Sequence, residues 1–329
     1  MTLKALLGAS ALVLSASAAM ADPALIFDLG GKFDKSFNEG AYTGAQRWAE
    51  ETGGKYREIE MQSEAQREQA LRRLAQSGSN PIVMTGFSFS DVLAQVAPDY
   101  PDTKFVIIDS VVDLPNVRSI VFSEEEGSYL AGLMAGMASK TDTVGFIGGM
   151  DIPLIRKFGC GYAQGVVAAK PDAKVLVSWT GSTPAAWNDP VRGGELTRAQ
   201  IGQGADVIYH AAGGTGIGIL QTAADEGILS IGVDSNQNAL HPGQVLTSMV
   251  KSVDVAVEDA FTQGVDLEPG TVVLGLAENG VVVPVDDSNR SLVTPEMDAA
   301  VAEATRNIAS GEISVHDYMT DDTCPVAGF

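Results

Sequence analysis

The chain has 329 residues and a formal net charge of −21 at pH 7. This length is sufficient for two domains, and the excess of acidic residues argues against nucleic acids or anionic membrane surfaces as partners, because their phosphates would be repelled. After the N-terminal segment, no stretch approaches the ~20 consecutive apolar residues of a membrane-spanning helix.

The N-terminal segment has the pattern of a secretory signal peptide. Met1–Lys4 is a short basic start, Ala5–Ala18 is an apolar run of small residues, and Ala19-Met20-Ala21 is an A-x-A cleavage site. We therefore expect residues 1–21 to be removed and the mature protein to be soluble and periplasmic. No Cys follows the cleavage site, so we expect no lipid anchor.

The first half of the mature chain alternates β-rich runs with amphipathic segments, which predicts parallel strands connected by helices. The predicted strands are Ala24–Asp28, Tyr56–Met61, Pro81–Thr85, Phe105–Ile108 and Val117–Phe122. The predicted helices are Asn38–Thr52, Ser63–Gln76 and Phe89–Ala97. In the second of these helices, Ser63 is the expected N-cap and Gln66 stands at the capping-box position.

The same alternation repeats in the second half, which indicates two α/β units in tandem. Its predicted helices are Gly127–Ser139, Arg156–Ala169, Asp189–Gln203 and Gly216–Glu226, and its predicted strands are Thr143–Ile147, Lys174–Trp179, Val207–Ala211, Ser230–Val233 and Leu246–Met249.

The C-terminal part is predicted to return to the first unit. We expect a helix over Val253–Thr262, a pair of short strands over Thr271–Val285 that turn at Glu278-Asn279-Gly280, and a last helix over Thr294–Ala309. No linker separates the two units, which predicts a chain that crosses between them. The expected N-terminal lobe is 22–122 with 252–285, and the expected C-terminal lobe is 123–251 with 286–329.

The Cys and His residues suggest a disulfide and no metal. Cys160 and Cys324 are the only cysteines, and an isolated pair in an oxidising compartment is a disulfide candidate that would tie the C-terminal tail to the middle of the chain. The three His residues show no metal-ligand spacing. We therefore expect neither a metal nor another cofactor.

Polar and aromatic residues follow the predicted strands, where ligands bind in open parallel sheets. The candidate ligand-binding residues are Asp34, Phe37, Asn38, Phe87, Asp109, Trp187, Gly213, Gly214, Asp234 and Lys251. This set does not suit phosphate, which is bound by glycine-rich amide nests with Lys or Arg. Counted from Gly214, the third glycine of the dinucleotide fingerprint would fall on Ile219, so that motif fails.

Three of these residues suit hydroxyl groups. Asp109 and Asp234 carry acceptors for the diol of a ribose or of another sugar, and Lys251 could hold a hydroxyl or orient the acids. The structural alternative is that both aspartates only form turns.

The remaining side chains suit a planar base. Phe37 offers a face for stacking, which contributes roughly 1–3 kcal/mol per base, and Asp34 and Asn38 carry hydrogen-bonding groups that can read a base edge. Structural alternatives remain here too. Asn38 could cap a helix, Phe37 could be a hydrophobic staple, and Trp187 and Phe87 could belong to the core.

Catalysis has little support in the sequence. There is no GxSxG motif, and no Ser, His and acid are grouped. A pair of carboxylates for glycoside hydrolysis is not excluded, but Asp34, Asp109 and Asp234 lie on three different strand ends with no sign of a raised pKa.

Seven segments, taken in chain order, make the chain resemble a known family. They are GGKFDKSFNEGAY, VIIDS, IVFSEEEGSYLAG, VGFIGG, AAGGTGIG, GVDSNQ and TSMVKSVDVAV. The chain resembles the basic membrane protein family, purine-nucleoside-receptor-like substrate-binding proteins of bacterial ABC importers. The resemblance implies a type I periplasmic-binding fold, in which two α/β lobes joined by crossing strands clamp a purine nucleoside.

The resemblance also implies roles for the residues that match the family motifs. Phe37 would stack on the base, Asp34 and Asn38 would face it, Asp109, Asp234 and Lys251 would bind the ribose, and Gly213 and Gly214 would line the far wall. The family commonly has a second aromatic residue on the other face of the base, for which Tyr209 and Trp187 are the candidates.

The sequence therefore predicts a monomeric periplasmic receptor that closes around a nucleoside and presents it to the permease subunits of an ABC transporter. The nearest alternative is a receptor for a sugar or another small polar metabolite. A secreted nucleoside hydrolase would need catalytic groups that the sequence does not show. A transcriptional regulator of similar fold conflicts with the export signal and with the lack of a helix-turn-helix segment.

Overall fold

A computed structural model describes residues 21–329 of the chain. The predicted signal peptide, apart from its last residue, lies outside this range. Two six-stranded sheets form the framework. The first sheet contains β1 (Ala24–Phe27), β2 (Arg57–Glu60), β3 (Ile82–Thr85), β4 (Phe105–Ile108), β5 (Val117–Phe122) and β11 (Gly270–Leu274). Its strand order is β11-β5-β4-β3-β1-β2, and all neighbours are parallel.

The second sheet repeats this arrangement. It contains β6 (Thr143–Met150), β7 (Lys174–Gly181), β8 (Val207–Ala211), β9 (Leu229–Asp234), β10 (Val245–Lys251) and β12 (Val281–Val282). Its order is β12-β10-β9-β8-β6-β7, and the short edge strand β12 is antiparallel to β10. The prediction of two tandem α/β units with parallel sheets is confirmed.

Nine α-helices in the described part of the chain cover these sheets. They are α1 (Phe37–Thr52), α2 (Arg67–Gln76), α3 (Ser90–Val96), α4 (Glu124–Ala138), α5 (Pro153–Ala169), α6 (Pro190–Ile201), α7 (Gly216–Asp225), α8 (Val253–Gln263) and α9 (Pro295–Ala309). Every residue of β1, β3 and β4 is buried, as parallel strands with helices on both faces require. Across residues 21–329, none of the helices has the length and apolarity to cross a membrane.

The chain passes between the sheets three times, and we call each sheet with its helices a lobe. The crossings follow Phe122, Lys251 and Leu274, the last residues of β5, β10 and β11. The predicted strand pair over Thr271–Val285 is wrong as a hairpin, because β11 pairs with β5 in the first lobe and β12 pairs with β10 in the second. The third crossing therefore precedes Val281, and the predicted lobe boundary at residue 285 is too late.

Several predicted helix starts also differ from the structure. Helix α1 begins at Phe37, one residue before the predicted start at Asn38. The segment after Ser63 opens with a 3-10 turn over Glu64–Gln66, and the hydroxyl of Ser63 makes no capping bond. The side chain of Gln66 instead accepts a hydrogen bond from the backbone N–H of Gln62, so the predicted capping box is wrong by one residue.

Helices α4 and α5 pack with their backbones in close contact. A Cβ added at Gly132 would overlap the carbonyl oxygen of Tyr162, and one added at Gly165 would overlap that of Tyr129. Because any larger residue would force the helices apart, these glycines couple α4, which begins at the first crossing, to α5.

The C-terminal tail lies against α5. The predicted disulfide between Cys160 and Cys324 is confirmed, with a Cα–Cα distance of 5.7 Å. The side-chain amide of Gln164 donates to the carbonyl of His316 over 3.0 Å and accepts from its N–H over 2.9 Å. The disulfide and the hydrogen bonds of Gln164 therefore both fasten the tail to this helix.

Candidate functional site

A cavity lies between the carboxyl ends of the strands of the two lobes. The space that protein atoms leave unfilled there, with the open mouth of the cavity included, is about 650 Å³. The cavity is lined by Asp28, Leu29, Gly30, Asp34, Phe37, Asn38, Gly86, Phe87, Asp109, Leu154, Ile155, Phe158, Trp187, Ala211, Gly213, Val233, Asp234 and Lys251. Nine of the ten candidate residues are in this set.

Gly214 is the candidate that does not line the cavity. A Cβ at this position would lie 3.3 Å from the carbonyl oxygen of Trp187 and 3.6 Å from Cβ of Asp34. Gly213, which does line it, has a positive φ of 53°, a backbone conformation that favours glycine. The glycine turn therefore lets the backbone around Trp187 approach closely, and only Gly213 faces the cavity.

Asp109 and Asp234 stand at equivalent positions in the two lobes. Asp109 directly follows β4 and Asp234 ends β9, and both have a left-handed backbone, with φ of 70° and 62°. This conformation is uncommon for residues other than glycine, although Asp and Asn tolerate it better than most. Both aspartates thus turn the chain and also present a carboxylate to the cavity.

Asp34 and Asn38 organise the loop between β1 and α1. Asp34 accepts three backbone N–H bonds, from Ser36 and Asn38 over 2.9 and 3.0 Å and from Glu39 over 3.1 Å. It is therefore Asp34 that caps α1, and the alternative reading of Asn38 as the cap is wrong. Burial raises the pKa of Asp34 to about 6, against the effect of these three donors.

The amide of Asn38 is fully engaged within the protein. Its nitrogen donates to the carbonyl oxygens of Asp28 and Gly31 over 3.2 and 3.1 Å, and its oxygen accepts from Thr85 Oγ1 over 2.9 Å. Asn38 lies at the cavity wall, and in this structure its side chain fixes the loop that follows β1.

Lys251 is paired with two carboxylates at the base of the cavity. Its Nζ lies 2.6 and 2.7 Å from the two carboxylate oxygens of Asp109 and 3.1 Å from Oε1 of Glu124. An ammonium has three N–H donors, and these contacts use all of them. Of the two roles predicted for Lys251, the structure therefore favours orienting the acids over holding a ligand hydroxyl.

Burial changes the pKa values of this group. It raises the pKa of Asp109 to about 6, although Lys251 acts in the opposite direction. Burial would lower the pKa of Lys251, but the carboxylates of Asp109, Glu124 and Asp234 raise it above its ordinary value. Lys251 is therefore protonated, and both Asp109 oxygens accept from it at neutral pH.

Asp234 joins the cavity to a set of hydrogen bonds between the lobes. Burial raises its pKa to about 6, against the effect of Lys251 and of a hydrogen bond from Ser36. Ser36 Oγ donates to Asp234 Oδ2 over 2.6 Å, Ser235 Oγ donates to the carbonyl of Ser36 over 2.7 Å, and Gln237 Nε2 donates to the carbonyl of Lys35 over 2.8 Å. We call these three contacts the cross-cleft bonds. They join the first lobe directly to the second.

The expectation that Asp34, Asp109 and Asp234 have no raised pKa is wrong, since all three are raised to about 6. The cause is the removal of each carboxylate from water, which depends on the packing of the whole site. Within residues 21–329, no group of three or more His, Cys, Asp or Glu side chains is placed to hold a metal ion.

Aromatic side chains enter the cavity from both lobes. Phe37 and Phe87 come from the first lobe, and Trp187 and Phe158 come from the second. Tyr209 is fully buried, and its hydroxyl lies 3.1 Å from Ser128 Oγ. Tyr209 therefore does not line the cavity, and Trp187 stays the candidate for the second aromatic face.

Sequence reasoning missed the start of α5. This helix begins at Pro153, three residues before the predicted Arg156, and its first turns bring Leu154, Ile155 and Phe158 to the cavity. The local signal was the apolar residues just after the strand end at Met150. An amphipathic helix can turn such residues to the core or to a cleft, and the sequence does not distinguish the two.

The chain is similar to substrate-binding proteins of ABC transporters over most of its length. A family model described as ABC transporter substrate-binding protein PnrA-like matches residues 23–318. The chain is 34% identical over 317 residues to the ABC transporter nucleoside-binding protein BmpA of Lactococcus lactis subsp. cremoris, with 89% of this chain and 88% of the relative covered. It is 32% identical over 296 residues to basic membrane protein A2 of Borrelia garinii, with coverage of 86% and 84%.

A solved structure shows the same fold. A solute-binding protein of an ABC transporter from Aeropyrum pernix K1 superposes with a TM-score of 0.84 at 28% identity, covering 92% of this chain and 95% of that protein. The predicted type I periplasmic-binding fold is thereby confirmed.

Proposed function

Because the chain belongs to the Bmp family of PnrA-like ABC transporter substrate-binding proteins, we propose that it is a periplasmic receptor for a nucleoside, and specifically for a purine nucleoside. It captures the ligand between its lobes and delivers it to the permease of an ABC importer. The observation that carries this proposal is a single cavity in which aromatic rings and carboxylates from both lobes meet.

The carboxylates suit the ribose. Asp109 and Asp234 reach the cavity from opposite lobes, so a diol that bonds both of them would bridge the cleft. Asp234 uses Oδ2 for Ser36, which leaves Oδ1 to accept from a hydroxyl. Asp109 is held through both oxygens by Lys251, and each carboxylate oxygen keeps a second lone pair for a ligand.

The aromatic rings suit the base. Phe37 belongs to the first lobe and Trp187 to the second, so a planar base between them would contact both lobes. The indole of Trp187 packs directly on the backbone of Gly149, and a Cβ added at this glycine would overlap the ring. A purine offers more stacking area than a pyrimidine, and stacking scales with the apolar area that is buried.

Closure then follows from differential binding. A ligand that contacts Asp109 and Phe37 on one lobe and Asp234 and Trp187 on the other makes all of these contacts only in the closed form. It therefore shifts the population toward closure by its difference in affinity for the two forms. The permease would recognise this closed form, and the site requires no chemical step.

The test is a ligand screen of the mature protein, refolded to remove any bound ligand, by thermal shift and calorimetry. The panel contains inosine, guanosine, adenosine, cytidine, uridine, free bases, ribose and hexoses. A ligand at about 100 times its Kd stabilises the folded state by about 2.7 kcal/mol. We expect purine nucleosides to stabilise the protein, and Phe37→Ala and Asp234→Asn to abolish most of that effect.

The matched control is Phe33→Ala. Phe33 is 62% exposed, lies four residues before Phe37 and is absent from the cavity wall, so its variant should bind like the wild type. Stabilisation by sugars alone would replace the nucleoside proposal with the sugar-receptor alternative. Release of free base during incubation with nucleoside would instead identify a hydrolase.

A further inference from the structure

A row of alternating charges, buried except for its last member, leads from the cavity into the second lobe. Asp109 is bonded to Lys251, Lys251 lies 3.1 Å from Glu124, and Glu124 lies 3.1 Å from Lys157. The row ends at Asp317 in the C-terminal tail, 3.5 Å from Lys157. Asp109 and Lys251 line the cavity, whereas the other members of the row do not.

Glu124 occupies the centre of this row. Its side chain is 1% exposed, and its two oxygens contact different lysines. Oε1 contacts Nζ of Lys251, and Oε2 contacts Nζ of Lys157. Glu124 begins α4 just after the first crossing, and Lys251 ends β10 just before the second. Burial would raise the pKa of Glu124, but the two lysines lower it below its ordinary value, so this carboxylate is charged.

The two lysines depend on Glu124 to different degrees. Lys157 also donates to the carbonyl oxygen of Phe122 over 2.8 Å and lies 3.1 Å from Glu125, so it keeps partners if Glu124 is neutral. Lys251 would keep Asp109 as its only bonded carboxylate. A charged acceptor holds a buried ammonium more strongly than a neutral one, so the position of Lys251 would change with the loss of the Glu124 charge.

Such a change would reach the ligand site directly. The Nζ of Lys251 lies 5.0, 4.9 and 5.5 Å from the ring centroids of Phe37, Phe122 and Phe158, distances at which an ammonium is attracted to an aromatic face. The same Nζ clamps both oxygens of Asp109. The direction of the Asp109 carboxylate is thus set by where this ammonium is held.

We propose that Glu124 is a positioning residue for ligand recognition, which holds Lys251 so that the Asp109 carboxylate is aimed at the hydroxyl groups of the sugar. This inference rests on the proposed nucleoside function. Glu124 does not touch the ligand, and its effect is transmitted through Lys251 to one end of the ligand.

The test is the isosteric variant Glu124→Gln, titrated by calorimetry with guanosine and with 2′,3′-dideoxyguanosine, which lacks the diol. We expect guanosine to bind roughly 10- to 100-fold more weakly, the range for loss of a well-aimed hydrogen bond to a charged group. The dideoxy analogue should change by less than about twofold. The control is Glu125→Gln, which removes a partner of Lys157 and no partner of Lys251, and should leave both affinities unchanged.

A second readout does not depend on any ligand. The ¹⁵Nζ resonance of Lys251, assigned with Lys251→Arg, should shift in Glu124→Gln and stay in place in Glu125→Gln. If Glu124→Gln does not fold, Glu124→Asp, which retains the charge but is shorter by one methylene, should show the same selectivity with a smaller loss.

Equal weakening of guanosine and its dideoxy analogue, or no weakening of either, would overturn the positioning role. An unmoved Lys251 resonance would overturn it as well. If the wild type bound no nucleoside while the Lys251 resonance shifted as expected, the proposed ligand would be wrong and the hold of Glu124 on Lys251 would stand.

Discussion

Replacing Ser36 by alanine tests how much of the closure free energy comes from the protein itself. The hydroxyl of Ser36 donates to Asp234 across the cleft, and it makes no bond to the first turn of α1. The cap that Asp34 provides uses the backbone N–H of Ser36, which alanine retains. The substitution therefore removes one of the cross-cleft bonds and leaves the first lobe intact.

The magnitude follows from the charge of the acceptor. A hydrogen bond to a charged group contributes about 1.5–3 kcal/mol, and one between neutral groups about 0.5–1.5 kcal/mol. In an open cleft, water would replace either partner, so the loss falls on the closed form alone. At about 1.4 kcal/mol per tenfold, Ser36→Ala should weaken nucleoside binding about 10- to 100-fold. Ser235→Ala, which removes a bond to a neutral carbonyl, should weaken it about 2- to 10-fold.

Calorimetry gives the affinities, small-angle scattering gives the radius of gyration without and with ligand, and circular dichroism gives the melting temperature. We expect Ser36→Ala to need more ligand to reach the compact form, with a nearly unchanged melting temperature of the ligand-free protein. The reasoning is refuted if Ser235→Ala has the larger effect. It is also refuted if Ser36→Ala lowers the melting temperature in proportion to the affinity, since Ser36 would then act in folding.

Two further predictions concern the disulfide and pH. Cys324→Ser removes the disulfide that fastens the tail to α5 and should lower the free energy of unfolding in urea by about 2–5 kcal/mol; an unchanged midpoint would show that the other tail contacts suffice. Asp34, Asp109 and Asp234 have folded-state pKa values of about 6 against an ordinary 3.8, so between these values the folded state binds more protons than the unfolded state, and these three groups favour folding more strongly as the pH falls from about 6 to about 4. Ligand affinity should move the other way and decrease over this range, because protonation removes acceptors for the sugar hydroxyls; calorimetry at about pH 7.5 and pH 5 checks this, and Asp234→Asn should show a weaker pH dependence than the wild type.

Much of the architecture was accessible from local patterns. The apolar run Phe105–Ile108 and the mainly apolar run Val207–Ala211 are strands at those bounds, because a strand buried on both faces does not alternate polar and apolar residues. The rule that ligands bind beyond the carboxyl ends of parallel strands located nine cavity residues without any knowledge of the packing. Asp109 and Asp234 are examples, since a strand end is visible in the sequence.

Other features had no local signal. Thr271–Val285 has the pattern of a hairpin, yet its two strands enter different sheets, because pairing depends on which edges the folded lobes leave open. Phe158 lies in a helix whose apolar residues face both the core and the cavity. Asn38 carries the donor and acceptor groups of a base-reading residue, but its side-chain amide is hydrogen-bonded to Asp28, Gly31 and Thr85.

The sequence by itself determined the elements, their tandem order and the strand ends at which ligand groups collect, because these depend on periodicity and on residues close together in the chain. Only the tertiary structure decided how those groups are used. Glu124 and Lys251 are 127 residues apart and meet only when the second lobe has folded. Ser36 and Asp234 are also far apart in the chain, and they meet only when the two lobes come together. Hydrogen bonding, charge pairing and the loss of water act over a few ångströms of space, so no local reading of the chain could assign them.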